Sequence, residues 1–324
     1  MKLPSKWARQ MGFFGWLWIW AVIGFLGNAG CQRGRSLGVA KAVPVREDGV
    51  LELQLMSFNV RYENSAELGD RSWHQRVIGS VGMIQKERPN IFGVQEAMHG
   101  QVADLWASLT EYEFYGVGRD DGKINGEYSG IFYQQDRFQS SLTEKGVFWL
   151  SDTPEIPGSR TWGNEIPRIA TWMRLVDRMT GRGFYVFNTH LDHKNQASRE
   201  KAALLIAQRI DGRKHQNEPV ILLGDFNATE SNAAMAYLTG KKVSIAGKTT
   251  AWPNGLTDSY QSLHAKEKNR RTLHFWGNSR EGLLKVDHIL ASKGAEIVSS
   301  EIVSGDKPMV SDHFPVTARV RFSR

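Results

Sequence analysis

The spacing of hydrophobic and polar positions changes several times along the chain. Leu51, Leu53 and Leu55 alternate with Glu52 and Gln54, and the run continues through Met56-Ser57-Phe58-Asn59-Val60, which predicts a strand ending in a polar residue. Val77, Val81 and Ile84 then recur at helical spacing, predicting a helix over 73–88 that Pro89 stops. A short buried strand is expected at 90–96, ending in Glu96, and Val102, Leu105, Trp106 and Leu109 mark a second helix. Ile131-Phe132-Tyr133 and residues 171–176 are strand-like, and Thr180-Gly181-Arg182-Gly183 is a turn into a strand over 184–190. A helix is expected over 197–210, a fully apolar strand over 220–225, and further strands over 286–291 and 314–322. Alternating strands and helices without a repeat or an internal linker point to one α/β domain over 51–324. The Asp- and Gly-rich stretch 119–128 is a long loop, a candidate rim for a site.

Residues 1–46 break this pattern. Lys2, Lys6 and Arg9 precede the uncharged stretch 10–32, whose apolar centre 12–26 is followed by Gly27-Asn28-Ala29-Gly30-Cys31 with the only cysteine in the chain. A basic start, an apolar run and small residues form the layout of a secretory signal. The segment resembles a bacterial lipoprotein signal with Cys31 as the lipidated residue, although Asn28 departs from that motif. The stretch is also long enough for an uncleaved anchor helix. Residues 1–31 are therefore expected to be a signal peptide or membrane anchor and 32–50 a tether, with the domain exported and membrane-tethered in the cell envelope or periplasm.

Charge sharpens this division. The chain has 324 residues, 41 Lys+Arg, 34 Asp+Glu and a formal net charge of +7. Seven of the basic residues and none of the acidic ones lie in 1–46, which leaves the body with 34 of each sign. With 41% hydrophobic and 23% charged residues the composition is that of a globular domain, which excludes disorder and a polytopic membrane protein.

One event recurs in the body: strand after strand ends in a side chain suited to metal or proton chemistry. These are Asn59, Glu96, His190, Asp225 with Asn227, and Asp287 with His288, while Asp312 and His313 lie just before a strand. Strand ends of an α/β sheet converge on one crevice. Several carboxylates gathered there need a cation, and oxygen donors without a cysteine cluster suit Mg²⁺ or Mn²⁺. Arg168 is a candidate phosphate-binding residue because the guanidinium fork matches phosphate oxygens, and His274 is a second candidate nearby.

Seven motifs in order resemble the endonuclease/exonuclease/phosphatase superfamily. They are Met56-Ser57-Phe58-Asn59-Val60-Arg61, Val94-Gln95-Glu96-Ala97, Asn188-Thr189-His190-Leu191-Asp192, Gly224-Asp225-Phe226-Asn227-Ala228, Leu256-Thr257-Asp258-Ser259, Val286-Asp287-His288-Ile289 and Ser311-Asp312-His313-Phe314-Pro315-Val316. Gly116-Val117-Gly118-Arg119-Asp120-Asp121-Gly122, Ile131-Phe132-Tyr133 and Pro167-Arg168-Ile169-Ala170-Thr171-Trp172 further resemble a bacterial branch near the deadenylase-type 3′–5′ exoribonucleases. The resemblance implies a four-layer α/β sandwich, two packed mixed β-sheets flanked by helices, and metal-dependent cleavage of a P–O bond with Mg²⁺ or Mn²⁺. It makes Glu96 the main metal ligand with Asn59 and Asp312, and gives Asp225 and Asn227 the attacking water. His313, held by Asp258 or another carboxylate, would contact the phosphate; His190 would stabilise the transition state or the leaving oxygen, and Asp287 completes the catalytic set.

The neutral body bears on the substrate. Binding a long duplex requires several Lys or Arg side chains on phosphates, and no basic run appears after residue 46. The expected substrate is a phosphate ester, either a short or single-stranded nucleic acid acted on as by a 3′–5′ exonuclease, or a phospholipid headgroup or inositol phosphate. A binding module without catalysis is the third reading, and the retained Glu96, Asp225, Asn227, Asp287 and His313 argue against it.

Overall fold

The computed structural model describes residues 49–305 and 309–323. The expectations for a signal, an anchor, Cys31 lipidation and most of the tether fall outside these residues. Among the described residues no helix is long and apolar enough to cross a membrane.

The alternating run at Leu51 forms β1 (Leu51–Asn59), and the periodic segment after it forms α1 (Trp73–Glu87), which ends at Arg88 in a left-handed conformation before Pro89. Then follow β2 (Ile91–Ala97), α2 (His99–Ser108), β3 (Tyr112–Tyr115), β4 (Tyr128–Gln134) and β5 (Phe138–Trp149). The middle of the chain supplies β6 (Ile169–Asp177), β7 (Gly183–His190), α3 (Gln196–Asp211), β8 (Val220–Asp225), α4 (Ala233–Leu238) and the small hairpin β9 (Val243–Ile245) and β10 (Lys248–Thr250). The chain closes with β11 (Thr257–Asp258), α5 (Ser259–Leu263), β12 (Asp287–Ala291), β13 (Ala295–Ile302) and β14 (Val316–Phe322).

The strands build two six-stranded sheets, ordered β13-β14-β1-β2-β4-β3 and β11-β12-β8-β7-β6-β5. Both are mixed, because β1 runs parallel to β2 and β7 parallel to β8 while the other ladders are antiparallel. Three apolar layers separate four layers of structure. Leu51, Leu53, Leu55, Ile91, Val186, Ile221 and Leu223 fill the space between the sheets. Met56, Phe58, Phe92 and Val94 pack outward against Trp73, Ile84, Val102 and Leu105 of α1 and α2. Tyr185, Phe187 and Leu222 pack the other way, against Ala203, Ile206 and Ile210 of α3 and Leu238 of α4. This is the expected α/β sandwich.

Side chains two apart on a strand share a face, so the layer between the sheets can be followed along each strand. It passes from Leu55 to Ser57 to Asn59 on β1, from Ile91 to Gly93 to Gln95 on β2, from Val186 to Asn188 to His190 on β7, and from Leu223 to Asp225 on β8. The inner layer is hydrocarbon below and polar at the C-terminal strand ends. Beneath the crevice Gln95 Nε2 donates to Asn188 Oδ1 at 2.7 Å, and Asn188 Nδ2 donates to the Val94 and Gly130 carbonyls, so the sheets are joined by buried hydrogen bonds where the apolar layer ends. Gly93 is required at this junction: a Cβ there would lie 2.1 Å from Leu223 and 2.7 Å from Asn188.

Several elements escape the periodicity. The edge strands β5 and β13, the latter paired antiparallel with β14, are mostly half-buried or exposed, so neither shows a sustained apolar pattern. The 119–127 segment is a loop, closed by the Arg119 N–H on the Glu127 carbonyl.

Candidate active site

Strand register alone sets out half of the crevice. His190 at the end of β7 is opposite Asp225 in the parallel β7/β8 ladder, and Asp225 is opposite Asp287 in the antiparallel β8/β12 ladder. Three residues about 35 and 60 positions apart in the chain thus stand in one row across neighbouring strands. Gly224 permits the tight join, since a Cβ there would lie 2.0 Å from the Thr189 carbonyl oxygen.

The other sheet contributes Asn59 and Glu96. Parity would turn Glu96 outward with Phe92 and Val94. Instead the β2/β4 register shifts between Val94 and Ala97, and Glu96 adopts φ +62°, a left-handed conformation costly for a side chain with Cβ. The bulge re-aims its carboxylate into the crevice, where Asn59 Nδ2 donates to Glu96 Oε1 and to Asp225 Oδ2, both at 3.0 Å. Asn59 Oδ1 accepts from the Arg61 N–H at 3.0 Å, which fixes the amide so that its nitrogen faces the acids. As it stands, Asn59 bridges two carboxylates rather than presenting its oxygen to a cation.

The two histidines are set in opposite states. His313 Nδ1 donates to Asp287 Oδ2 at 2.9 Å, and its Nε2 lies 3.9 Å from Asp225 Oδ2. Burial opposes its charge, but Asp287, Asp225 and Asp312 prevail and raise its pKa to about 10, so the ring is an imidazolium at neutral pH. His190 is held well below its ordinary pKa by burial, by Arg168 and by Arg119. Asn227 Nδ2 lies 2.9 Å from His190 Nε2, an arrangement that places the neutral ring's proton on Nδ1, 3.8 Å from Glu127 Oε2. Asp225 is raised well above the usual carboxylate range by burial and by Asp287. Asp312 is raised too, by burial and then Glu96, and Arg61 sits 3.8 Å from Glu96 and 3.9 Å from Asp312.

Arg168 is buried beside these groups. Its Nη2 donates to His193 Nδ1 at 3.0 Å and its Nε lies 3.6 Å from Asp192, while Nε and Nη1 have no hydrogen-bond partner. One of the expected residues is placed differently, while His274 lies beside Asp312 and His313 as expected. Asp258 does not hold His313: it caps α5, and its Oδ2 lies 2.5 Å from His288 Nδ1 and 3.3 Å from Lys285 Nζ. Burial would push its carboxyl up, but Lys285 and His288 hold it well below the usual range. The carboxylate on His313 is that of Asp287, which the β8/β12 register decides. His274 stacks on Phe314 at 4.0 Å and its N–H donates to the Asp312 carbonyl at 2.9 Å. Burial and the charge of His313 lower its pKa to about 4, so it is uncharged at neutral pH.

Three participants were not foreseen: Arg61, Arg119 and Glu127. Arg119 forms a two-pronged pair with Glu127 at 2.6 and 2.7 Å, and this pair brings the rim loop against His190. The only signal in the sequence is one basic and one acidic residue bracketing a Gly-rich stretch, and many surface loops share it.

The donor chemistry fits a hard divalent cation. Glu96, His190 and Asp225 each bring one ligand atom within 4.8 Å of the others, as do Asp225, Asp287 and His313. His190 Nε2 and His313 Nδ1 already face Asn227 and Asp287, and Asp287 Oδ1 is a buried oxygen donor with no partner of its own.

The endonuclease/exonuclease/phosphatase family profile matches residues 56–313, most of the chain. The chain belongs to this family. An endonuclease/exonuclease/phosphatase from Bacteroides vulgatus is 32% identical, superposes with a TM-score of 0.73, and the match covers 83% of this chain and 98% of that one. A mannosyl-6-phosphatase from Bacteroides thetaiotaomicron is also 32% identical, with a TM-score of 0.71 over 83% of this chain and 99% of that one. The catalytic domain of human nocturnin, solved with a sulfate anion, is 18% identical with a TM-score of 0.63, covering 86% and 95%. That last likeness is one of fold. Phosphoester hydrolysis is the chemistry supported for the family member described here.

Proposed function

We propose that the protein is a Mg²⁺- or Mn²⁺-dependent hydrolase of small phosphate esters. The observation that carries this reading is the opposed pair of histidines around Asp225: a buried imidazolium at His313 and a buried neutral imidazole at His190, on either side of a carboxylate. Environments that push like groups apart in pKa are the mark of divided acid, base and charge-stabilising work.

Glu96 and Asp312 would hold the ion, with the free Oδ1 of Asp287 as a further oxygen donor. A bound divalent cation supplies positive charge to the phosphoryl oxygens and makes a water more acidic. Asp225, receiving the Asn227 N–H at 2.8 Å and the Asn59 amide at 3.0 Å, orients that water and accepts its proton. The His313 Nε2–H donates to a phosphoryl oxygen, its charge maintained by Asp287. The His190 Nδ1–H, which has no hydrogen-bond partner, is the donor left on that side for the oxygen that leaves, and the two unpartnered groups of Arg168 bind another phosphoryl oxygen.

The charge pattern favours a small ester over a nucleic acid strand. Arg119 and Arg168 are buried and engaged by Glu127, Asp192 and His193, a compact phosphate pocket rather than a cationic track. The 32%-identical mannosyl-6-phosphatase supports the same choice. The 3′–5′ exonuclease reading rests on the motif resemblance to the deadenylase-type branch. Purified protein assayed with Mg²⁺, Mn²⁺ or EDTA on sugar phosphates, inositol phosphates, sphingomyelin, bis-p-nitrophenyl phosphate and single-stranded RNA and DNA separates these. Turnover confined to RNA or DNA would favour the exonuclease, and no metal-dependent turnover on any ester would favour a binding module.

A further inference from the structure

The helix α3 has two working faces. Ala202, Ala203, Ile206, Ala207 and Ile210 are buried in the apolar layer over β7 and β8. Lys201, Leu204, Leu205 and Gln208, also at helical spacing, line a cleft of about 1010 Å³ instead. Its floor is the outward face of β6 and β7. Met173 and Val186 of those strands lie in the layer between the sheets, so Trp172, Tyr185 and Phe187 point the other way. The crevice draws on His190 and the inward face of β7, so cleft and crevice use opposite faces of one sheet.

Trp172 shapes the floor. Its ring lies 6.3 Å from that of Tyr185 and 6.2 Å from that of Phe187, inclined by 27° and 20°. Across the β5/β6 ladder its partner is Gly146, where a Cβ would lie 3.0 Å from the indole Nε1. The bare backbone there gives the indole room to lean toward β5. Trp162, Trp172, Leu204 and Leu205 all remain partly exposed within this one concavity. Four cations, Lys201, Arg209, Arg213 and Lys214, line it against two acids, and both acids are engaged. Glu144 accepts from the Tyr185 hydroxyl at 2.7 Å and lies 3.3 Å from His215, and Asp152 accepts from the Trp162 indole at 2.7 Å. Arg209 pairs with Glu155 at 2.5 Å. Lys201, with Nζ 5.8 Å from the Trp162 ring, and Lys214 form no ion pair among the described residues.

A concavity of this size with apolar walls and a few convergent polar groups has the form of a small-molecule site. The indole selects a flat ring, and the unpaired ammonium groups select negative charge. We propose that the cleft is a second ligand site, for a small anion that carries a flat ring, of the class of a nucleoside phosphate, with its ring on Trp172 and its phosphate at Lys201. The inference goes beyond the hydrolase reading and does not depend on it.

The test is calorimetric titration of the full chain, in EDTA, with adenosine monophosphate, adenosine and ribose 5-phosphate. Wild-type protein is expected to bind adenosine monophosphate about tenfold more tightly than either of the other two. Trp172→Ala is expected to bring its affinity down to that of ribose 5-phosphate, Lys201→Glu down to that of adenosine, and Trp172→Phe to retain most of it. Arg168→Gln, which alters the crevice alone, should leave it within about twofold. Lys201 is exposed, so Lys201→Glu keeps the test readable if Trp172→Ala fails to fold. Affinity for adenosine monophosphate unchanged in both cleft variants, or lost only in Arg168→Gln, overturns the second site. Adenosine monophosphate binding no better than adenosine or ribose 5-phosphate overturns the ligand class.

Discussion

The two sides of the crevice hold the same residue type in opposite states. On the β12 side, His313 faces Asp287, Asp225 and Asp312 and carries a proton. On the β7 side, His190 is equally buried but faces Arg168 and Arg119 and is neutral. Burial favours the neutral ring in both places; the sign of the neighbouring charge decides the outcome. One site can therefore present a cation to one phosphate oxygen and a neutral hydrogen-bonding ring to another, using residues of the same intrinsic basicity.

Removing the acid between them should have the largest effect. Asp225→Asn is expected to lower kcat by about 10³-fold or more while circular dichroism shows an intact fold, since the histidines would then flank a group that cannot accept a proton. A variant that retained wild-type turnover would break the division of labour. Next in size, Asp287→Asn should cost about 10²-fold in kcat by stripping His313 of the partner that keeps it charged. Adding His313→Gln to it should cost little more, because the two act as a unit; additive losses measured in the double variant would separate them.

Arg168→Gln should act on the other side. It removes one of the charges that depress His190, and its expected signature is a rise in the His190 pKa, followed by NMR of the ring in metal-free protein, with a roughly tenfold increase in KM. An unchanged His190 titration would show that Arg168 does not set the charge of this ring. The smallest effect lies in pH-dependent stability, read by denaturant unfolding in EDTA. The raised pKa of His313 contributes stability that is complete below about pH 6.5 and is lost as pH rises through about 10. The depressed pKa of His190 has the opposite sign: its contribution is present above about pH 6.5 and is lost as pH falls below it. His313→Gln and His190→Gln should therefore converge on wild-type stability at opposite ends of the pH range.

How much of this was legible before folding differs from residue to residue. Period-two and period-3.6 patterning marked β1, α1, β2, α2, β7, α3 and β8 because each buries a continuous face. It left β5 and β13 unseen because sheet-edge strands are half wet and need no apolar rhythm. The chemistry-bearing side chains at strand ends were visible as types. Their partners were not: Asp258 and Asp287 are both acids beside β12, yet only Asp287 is in register with Asp225 and in reach of His313, while Asp258 belongs to Lys285 and His288. Arg61 and Glu127 escaped notice because their importance comes from distance to Glu96, Asp312 and His190, and no spacing along the chain encodes it.

By itself the sequence determined the layers and the polar ends of the inner strands, because alternation along a strand is a local property that survives in any register. It also separated a basic N-terminal segment from a body of balanced charge. Tertiary structure alone decided which acid pairs with which imidazole and that a bulge turns Glu96 inward. Those outcomes depend on strand register, backbone handedness and the summed field of residues far apart in the chain, and each is set only when the two sheets close on one another.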